Sequence, residues 1–216
     1  QSFQERWKSL EAAHSPVKDI ASLLPHQPEN ANPHVASVPL AEQVEMSLDA
    51  RLEKFWVELD ALGAKYIPCT QADLAGRVLD LLQQKQCQEI LAWEDTKLPA
   101  GLVSVLADSG IRVVHPTGEG KLDAGRIRFG LTGAIAAAAE TASLAIPGGR
   151  GRPLAASLLP EVHLVVLRKE DVLEGLEELL RLPEVTGSAA AVLISGPSRT
   201  ADIEMTLTIG VHGPGE

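Results

Sequence analysis

Aromatic residues and positive charge are scarce in this chain of 216 residues. It contains three Phe, three Trp and one Tyr, and its 19 Lys and Arg are outnumbered by 29 Asp and Glu, which gives a formal charge of −10. An acidic chain with few rings repels phosphate backbones and stacks few bases, so we expect no nucleic acid partner. No apolar run approaches the ~20 residues of a membrane span, and no charged-then-apolar signal segment opens the chain. These absences predict a cytoplasmic protein with no membrane span.

Cysteine is also nearly absent. Cys69 and Cys87 are the only two, they form no CxxC pair, and no pair of histidines lies near either of them in the sequence. A typical iron–sulfur cluster takes four thiolates, and a structural zinc ion takes four closely spaced Cys or His ligands. We therefore expect no iron–sulfur cluster, zinc or other metal site on this chain, and we expect free thiols because cytosolic disulfides are rare. No other cofactor is indicated.

Apolar residues are plentiful, at 45% of the chain, and they divide it into two parts. Residues 1–40 contain five prolines and lose apolar periodicity after Leu24, which predicts a Pro-rich N-terminal arm. From residue 41 onward apolar residues recur at helical spacing, and Gly63 suits the end of the first helix. We expect a single domain over residues 41–216.

Strands and helices alternate along this predicted domain with short connections. This order predicts an α/β fold with a three-layer, mostly parallel sheet. The predicted strands cover residues 64–69, 89–93, 111–115, 127–131, 144–146, 163–167 and 190–194. The clearest predicted helices cover residues 44–62, 101–108 and 172–182. An alanine-rich stretch, residues 133–140, has side chains small enough to let another backbone or a ligand approach closely.

The segment of residues 196–204 directly follows the last predicted strand. Ligands of open α/β sheets bind beyond the carboxyl ends of strands, so this position favours a binding site. Arg199 offers a planar fork suited to a carboxylate or phosphate. The candidate ligand-binding residues here are Gly196, Ser198, Arg199, Thr200 and Asp202. The alternative is structural: a strand-to-helix turn with an Arg199–Asp202 ion pair.

Two residues are candidates for acid–base or nucleophilic catalysis. His212 lies between Val211 and Gly213 in a glycine-containing segment and can exchange a proton near neutral pH. Glu140 ends the alanine-rich stretch, where a buried carboxylate must be paired or functional. The structural alternative for Glu140 is a helix-end carboxylate that faces water, and for His212 it is a turn position.

Three further residues are candidate ligand contacts. Thr132 and Thr141 flank the alanine-rich stretch, and Arg152 lies with Arg150 in a glycine loop that is able to clamp an anion. The alternative for this loop is simple solvation. No P-loop or GxGxxG pattern is present. His163 lies within an apolar strand, which favours a core histidine over a functional one.

Four segments, taken in order, resemble the LUD (lactate utilisation) domain family, in particular its LutC/YkgG-type members. The most specific is Gly196–Glu204 followed by Gly210–Pro214, with the sequences GPSRTADIE and GVHGP. The others are GLTGA at 130–134, AETAS at 139–143 and SLLPEVH at 157–163. The family usually has glycine where this chain has Ala142.

This resemblance implies a NagB/RpiA/CoA-transferase-like fold and a part in the oxidation of L-lactate to pyruvate. It also implies two iron–sulfur partner proteins, LutA-like and LutB-like, which agrees with the absence of cluster ligands here. A subunit that binds a small anionic ligand is the leading hypothesis. The alternatives are a stand-alone acyl- or nucleotide-transfer enzyme of the CoA-transferase or formyltetrahydrofolate cyclo-ligase type, and a non-catalytic scaffold. The sequence is compatible with a homo-oligomer and does not decide whether the chain is an enzyme.

Overall fold

A computed structural model describes residues 45–116, 126–201, 207–210 and 213–216. The predicted arm, residues 1–40, lies outside these ranges, and the domain boundary at residue 41 stays a prediction. The described helices are α1 (Leu48–Leu62), α2 (Leu74–Gln84), α3 (Leu102–Asp108), α4 (Ala155–Leu158), α5 (Leu176–Leu180) and α6 (Pro183–Thr186). The described strands are β1 (Glu89–Ala92), β2 (Arg112–Val114), β3 (Phe129–Gly133), β4 (Ala136–Ala138), β5 (Ser143–Pro147), β6 (Val162–Val166), β7 (Val172–Leu173), β8 (Ala191–Ile194), β9 (Arg199–Ala201) and β10 (Leu207–Ile209).

Local sequence signals set both ends of α1. The Ser47 hydroxyl accepts a hydrogen bond from the backbone N–H of Ala50 at 3.3 Å, as a helix N-cap does. Gly63 ends the helix with φ +78°, a left-handed conformation that glycine adopts without steric penalty. Between these ends, Phe55 and Leu59 are buried one turn apart on the same face. Helical periodicity and the terminal glycine thus predicted α1 correctly.

The first sheet is entirely parallel and has the strand order β2-β1-β3-β6. Its two central strands are enclosed: every residue of β3 is buried, and so are Ile90, Leu91 and Ala92 of β1. Large aliphatic residues of α2 and α3, such as Leu82 and Leu106, share this core. Continuous apolar strands of this kind are typical of parallel sheets covered on both faces.

A second sheet begins directly after the first. Only Ala134 and Ile135 separate β3 from β4, whereas a parallel neighbour within one sheet needs a crossover of about a dozen residues or more. Strand β4 is therefore not a parallel neighbour of β3, and the structure places it in a separate sheet with the order β7-β4-β5-β8. Strands β4 and β7 are parallel, and β5 is antiparallel to both β4 and β8.

The alanine-rich stretch forms β4 and is covered on both faces. Ala137 packs in a cluster with Phe55 and Leu59 of α1. Ala136 and Ala138 point to the other face and pack with Leu179 of α5. The small side chains therefore allow two helices to approach one strand, which gives helix, sheet and helix layers.

The α/β class and the mostly parallel arrangement are confirmed, while two local predictions are wrong. Residues 64–69 form a largely exposed loop and not a strand, since Pro68 lacks an N–H and no strand of the described ranges pairs with this segment. Residues 172–182 are not one helix, because Val172–Leu173 pairs with β4 and α5 begins only at Leu176. The finer assignment to a NagB/RpiA/CoA-transferase-like fold stays a prediction.

Candidate functional site

A chain of three hydroxyl groups joins the segment 139–143 to Ser195, the residue just before the segment 196–204. Thr141 Oγ1 lies 2.8 Å from Ser143 Oγ, which lies 2.6 Å from Ser195 Oγ. The antiparallel register of β5 and β8, in which Leu144 pairs with Ile194, brings Ser143 opposite Ser195. Ser143 is buried, whereas Ser195, which immediately precedes Gly196, is exposed. The segment around Thr141 is thus hydrogen-bonded to the residue that precedes the segment 196–204.

The turn before this hydroxyl chain contains an unusual backbone conformation. Ala142 has φ +47° and is fully buried. This left-handed conformation is where glycine is normally preferred. It is the conformation that the glycine expected here from the resemblance would adopt without steric penalty.

Glu140 lies at the start of α5. Its Oε1 accepts a hydrogen bond from the backbone N–H of Leu176 at 2.6 Å, and its own N–H donates to the carbonyl of Glu174 at 3.2 Å. The residue is exposed. This geometry matches the helix-end carboxylate that was the alternative to a catalytic role, and the catalytic role itself stays a prediction.

The segment 196–199 packs on the C-terminal end of α1. Gly196 has φ +79°, and a Cβ there would lie 2.8 Å from Leu62 Cβ, so both conformation and space require glycine. The exposed Arg199 guanidinium donates to the Leu62 carbonyl, one of the orphan carbonyls that end a helix. Ser198 is held by its backbone: its N–H donates to the Pro214 carbonyl at 2.7 Å.

The remaining candidates of this segment are only partly described. Thr200 lies in β9, where its backbone pairs with Thr208 of β10. Asp202 and His212 lie outside the described residues. Their predicted roles in ligand binding and catalysis stay predictions.

Thr132 is fully buried in β3 and contacts a histidine of the neighbouring strand. Its Oγ1 lies 2.9 Å from Nε2 of His163 in β6. Burial lowers the pKa of His163 to about 4, which keeps the imidazole neutral near pH 7. His163 is therefore a partly buried histidine with Thr132 as its hydrogen-bond partner, which agrees with the structural role expected from the sequence.

Arg152 belongs to a different edge of the molecule. Its guanidinium lies over the ring of Trp93, 5.6 Å from the ring centroid. Trp93 directly follows β1, at the carboxyl end of the first sheet. Within the described residues, neither Arg152 Nε nor Trp93 Nε1 has a hydrogen-bond partner, although both atoms are buried.

The candidates therefore fall into three groups. Thr141 and Gly196 are linked through Ser143 and Ser195, next to Arg199 at the end of α1. Thr132 pairs with His163, and Arg152 contacts Trp93. Sequence reasoning missed Trp93, although the rule that ligands bind beyond the carboxyl ends of parallel strands applied to β1 as well.

A cavity of about 490 Å³ involves none of these candidates. It is lined by Trp56, Leu59, Asp60, Ala64, Lys65, Tyr66 and Ile67. In the described ranges no cluster of three or more His, Cys, Asp or Glu side chains is placed to hold a metal ion. None of the helices in those ranges combines the length and apolar character that crossing a bilayer requires.

The amino-acid sequence is similar to those of known proteins. Residues 52–216 match the sequence model of the LUD domain. Lactate utilization protein C of Halalkalibacterium halodurans is 29% identical over 155 residues, which cover 67% of each chain. Lactate utilization protein C of an Exiguobacterium species is 30% identical over 174 residues, covering 76% of this chain and 74% of the relative.

A solved structure supports the fold. The crystal structure of a DUF162 family protein from Deinococcus radiodurans matches with a TM-score of 0.56 at 22% identity, covering 78% of this chain and 94% of that one. The sequence match to the LUD domain covers well over half of the chain and includes all four motif segments. This chain therefore belongs to the LUD domain family.

Proposed function

We propose that this chain is a subunit of a cytoplasmic system that oxidises L-lactate to pyruvate, and that it binds a small anionic ligand. The observation that carries the proposal is the family match over residues 52–216 together with relatives that bear the name lactate utilization protein C. Family membership alone does not transfer chemistry, so the proposal also depends on the site.

The hydroxyl chain supports the view that the motif segments act together. Ser143 and Ser195 belong to segments separated by about fifty residues of sequence, yet their oxygens lie 2.6 Å apart. Thr141 extends this chain to the turn that contains Ala142. This contact brings the segment 139–143 next to Ser195, the residue that precedes the segment 196–204, which supports a shared site for these two segments.

The cysteines support the proposal that electrons pass through partner proteins. Both thiols are free; Cys69 is exposed and Cys87 is buried. Burial raises the pKa of the Cys87 thiol above its ordinary value, which disfavours the thiolate needed for metal binding and redox chemistry. Two cysteines are too few for a typical cluster, so iron–sulfur LutA-like and LutB-like proteins would carry the electrons.

The proposal that Glu140 is the nucleophile of an acyl- or nucleotide-transfer enzyme receives less support. Its Oε1 accepts the N–H of Leu176 at the start of α5, which is a structural role. A scaffold without any ligand would leave the unpartnered donors of Trp93 and Arg152 unexplained. The ligand-binding subunit is therefore the function that the described residues support best.

Deletion of the gene in the source organism tests the proposed function. Growth on L-lactate as sole carbon source should be lost, growth on glucose should be unchanged, and the full-length gene should restore growth on lactate. Affinity-tagged full-length chain should also recover proteins that contain iron and acid-labile sulfide. Normal growth of the deletion strain on lactate would contradict the proposal.

A further inference from the structure

Trp93 and Arg152 lie where a ligand of an α/β sheet is expected. Strands β1 and β3 are parallel neighbours. The backbone N–H of Trp93 donates to the Leu131 carbonyl at 3.1 Å, which continues their pairing to the carboxyl end of β1. Gly133 ends β3 beside Trp93: a Cβ at Gly133 would lie 3.4 Å from the indole ring. Crevices at this edge of open α/β sheets are the usual ligand sites.

The glycine loop is fixed against this edge by its backbone. The N–H of Glu94 donates to the Gly151 carbonyl at 2.9 Å. Gly151 has φ +76°, a left-handed conformation that favours glycine, and its Cα lies close to the Glu94 carboxylate, since a Cβ there would be 2.8 Å from Glu94 Oε2. Arg152, the next residue, is thereby carried over the face of Trp93.

Two donors at this position have no acceptor in the described part of the chain. Trp93 is only 2% exposed, and its indole N–H has no hydrogen-bond partner. The Nε–H of Arg152 is also buried and unpartnered. Buried donors in folded proteins are nearly always paired. Two unpaired donors on side chains in contact with each other therefore indicate an acceptor that binds here.

Charge and shape narrow the class of that acceptor. A guanidinium presents a planar fork that matches the two oxygens of a carboxylate. The Glu94 carboxylate borders the same loop and disfavours a ligand of high negative charge. Arg150, in the same loop, is exposed, whereas Arg152 is only partly exposed.

We propose that Trp93 and Arg152 bind the carboxylate of a small monocarboxylate at the carboxyl ends of β1 and β3. This proposal takes the anionic nature of the ligand from the proposed function and adds its chemical class, its place in the fold and the contribution of the Trp93 indole.

Tryptophan fluorescence of the full chain provides the test. Phenylalanine replaces Trp7 and Trp56, which leaves Trp93 as the only tryptophan. This protein is titrated separately with L-lactate, pyruvate and inorganic phosphate. We expect L-lactate or pyruvate to change the Trp93 fluorescence in a saturable way, which gives the affinity of the ligand. Arg152→Met should weaken the affinity at least about tenfold, as the loss of a charge-assisted contact does. Arg150→Met, the matched control on the same loop, should change the affinity less than about twofold.

Two further variants separate binding from folding. Arg152→Lys keeps the charge and loses the planar fork, so it should weaken binding even where circular dichroism shows an unchanged fold. Trp93→Phe keeps most of the ring and removes its N–H, so it should also weaken binding, measured by calorimetry. Equal affinities of Arg152→Met and the parent, binding of phosphate alone, or no binding of any of the three compounds would overturn the proposal.

Failure of this site is distinguishable from failure of the proposed function. If the deletion strain cannot grow on lactate but Arg152→Met restores growth and binds normally, the function stands and the site is wrong. If the deletion strain grows normally while Trp93 reports monocarboxylate binding that requires Arg152, the site stands and the lactate function is wrong.

Discussion

The two four-stranded sheets of this chain solve the same packing problem with different side chains. In the first sheet, Ile90, Leu91 and Leu131 are fully buried and fill the space between strands and helices. In the second sheet, Ala137 and Ala138 are equally buried, but helices α1 and α5 approach the strand and fill the space instead. Complete burial is therefore reached with large side chains in the first sheet and with a close approach of helices to the strand in the second.

This difference separates the types of site that each sheet offers. The first sheet is parallel and places an indole, a guanidinium and a carboxylate near the carboxyl ends of its strands. The second sheet is mixed and carries a chain of neutral hydroxyls between β5 and β8. The first sheet thus offers an indole and a guanidinium beside each other, whereas the hydroxyl chain of the second sheet is neutral.

The largest effect on stability is expected from a substitution at the closest contact between the first sheet and a helix. A Cβ at Gly130 in β3 would lie 2.0 Å from the backbone carbonyl oxygen of Ala156 in α4, which cannot move without displacing the helix. Gly130→Ala should lower the free energy of unfolding by at least about 3 kcal/mol, measured by urea denaturation.

A second glycine is its matched control. Gly76 lies within α2, and a Cβ there would meet nothing within 4 Å. Gly76→Ala should raise the free energy of unfolding by about 0.5–1 kcal/mol, because alanine is the better helix former. Similar effects of the two substitutions would contradict the described approach of α4 to β3.

The second sheet is tested by overpacking its alanine strand. Ala137→Leu inserts three additional carbons between β4 and α1, where Phe55 and Leu59 already pack. We expect a loss of about 1–3 kcal/mol in urea denaturation. Ala191→Leu adds the same atoms at an exposed position of β8 and should change stability by less than about 0.5 kcal/mol. A tolerated leucine at position 137 would mean that α1 does not lie as close as described.

Lowering the pH should destabilise the first sheet through protonation of His163 in β6. Its folded pKa of about 4 lies below the ordinary value of 6.5, so the unfolded chain binds the proton more readily between these values. The contribution to stability is therefore fully present above about pH 6.5 and is lost as the pH falls toward 4. Between pH 7 and pH 5 we expect a loss of about 1–2 kcal/mol in urea denaturation.

His163→Gln removes this titration and keeps a polar group near Thr132. The variant should lose less stability than the parent over the same pH interval. Ser143→Ala, which alters the hydroxyl chain of the second sheet, should leave the pH dependence of the parent unchanged. Parallel pH profiles of parent and His163→Gln would show that the imidazole is not desolvated.

Much of the first sheet could be predicted from the sequence, whereas in the second sheet the strands β5 and β8 could be predicted and β4 and β7 could not. The strands β1, β2, β3 and β6 lie in short segments rich in aliphatic and aromatic residues with short connections, which are a strong signal. Four consecutive alanines carry no contrast in hydrophobicity, so neither their strand conformation nor their two faces could be predicted. Pairing of Val172 with Ala137 is a long-range contact, and it overrode the helical pattern of residues 172–182.

The candidate site was predictable as a set of segments, not as a set of contacts. The segment at Gly196 could be placed beyond a strand, but its packing on Leu62 depends on the position of α1. Arg199 and Glu140 have the residue types of functional groups, yet each also satisfies a helix end. Only the structure distinguishes Arg152, which covers Trp93, from Arg150, which is exposed.

The smallest expected effect concerns the turn of the second sheet at Ala142. Replacing this residue by glycine relieves a left-handed conformation that costs alanine about 1–2 kcal/mol. The same change removes a fully buried methyl group, worth about 0.8 kcal/mol, and increases the entropy of the unfolded chain by about 0.4–1 kcal/mol. These terms nearly offset each other, so Ala142→Gly should change the free energy of unfolding by less than about 1 kcal/mol.

Gln86 isolates the contribution of the buried methyl. It is the other non-glycine residue of the described ranges with positive φ, at +55°, and it is exposed. Gln86→Gly relieves a comparable conformation without opening the core, so it should stabilise the protein more than Ala142→Gly does in the same urea titration. The reverse order would mean that the Ala142 methyl crowds the cluster beneath α1. Glycine would then be the better fit at this turn, even in a sheet where alanine residues allow the helices to approach closely.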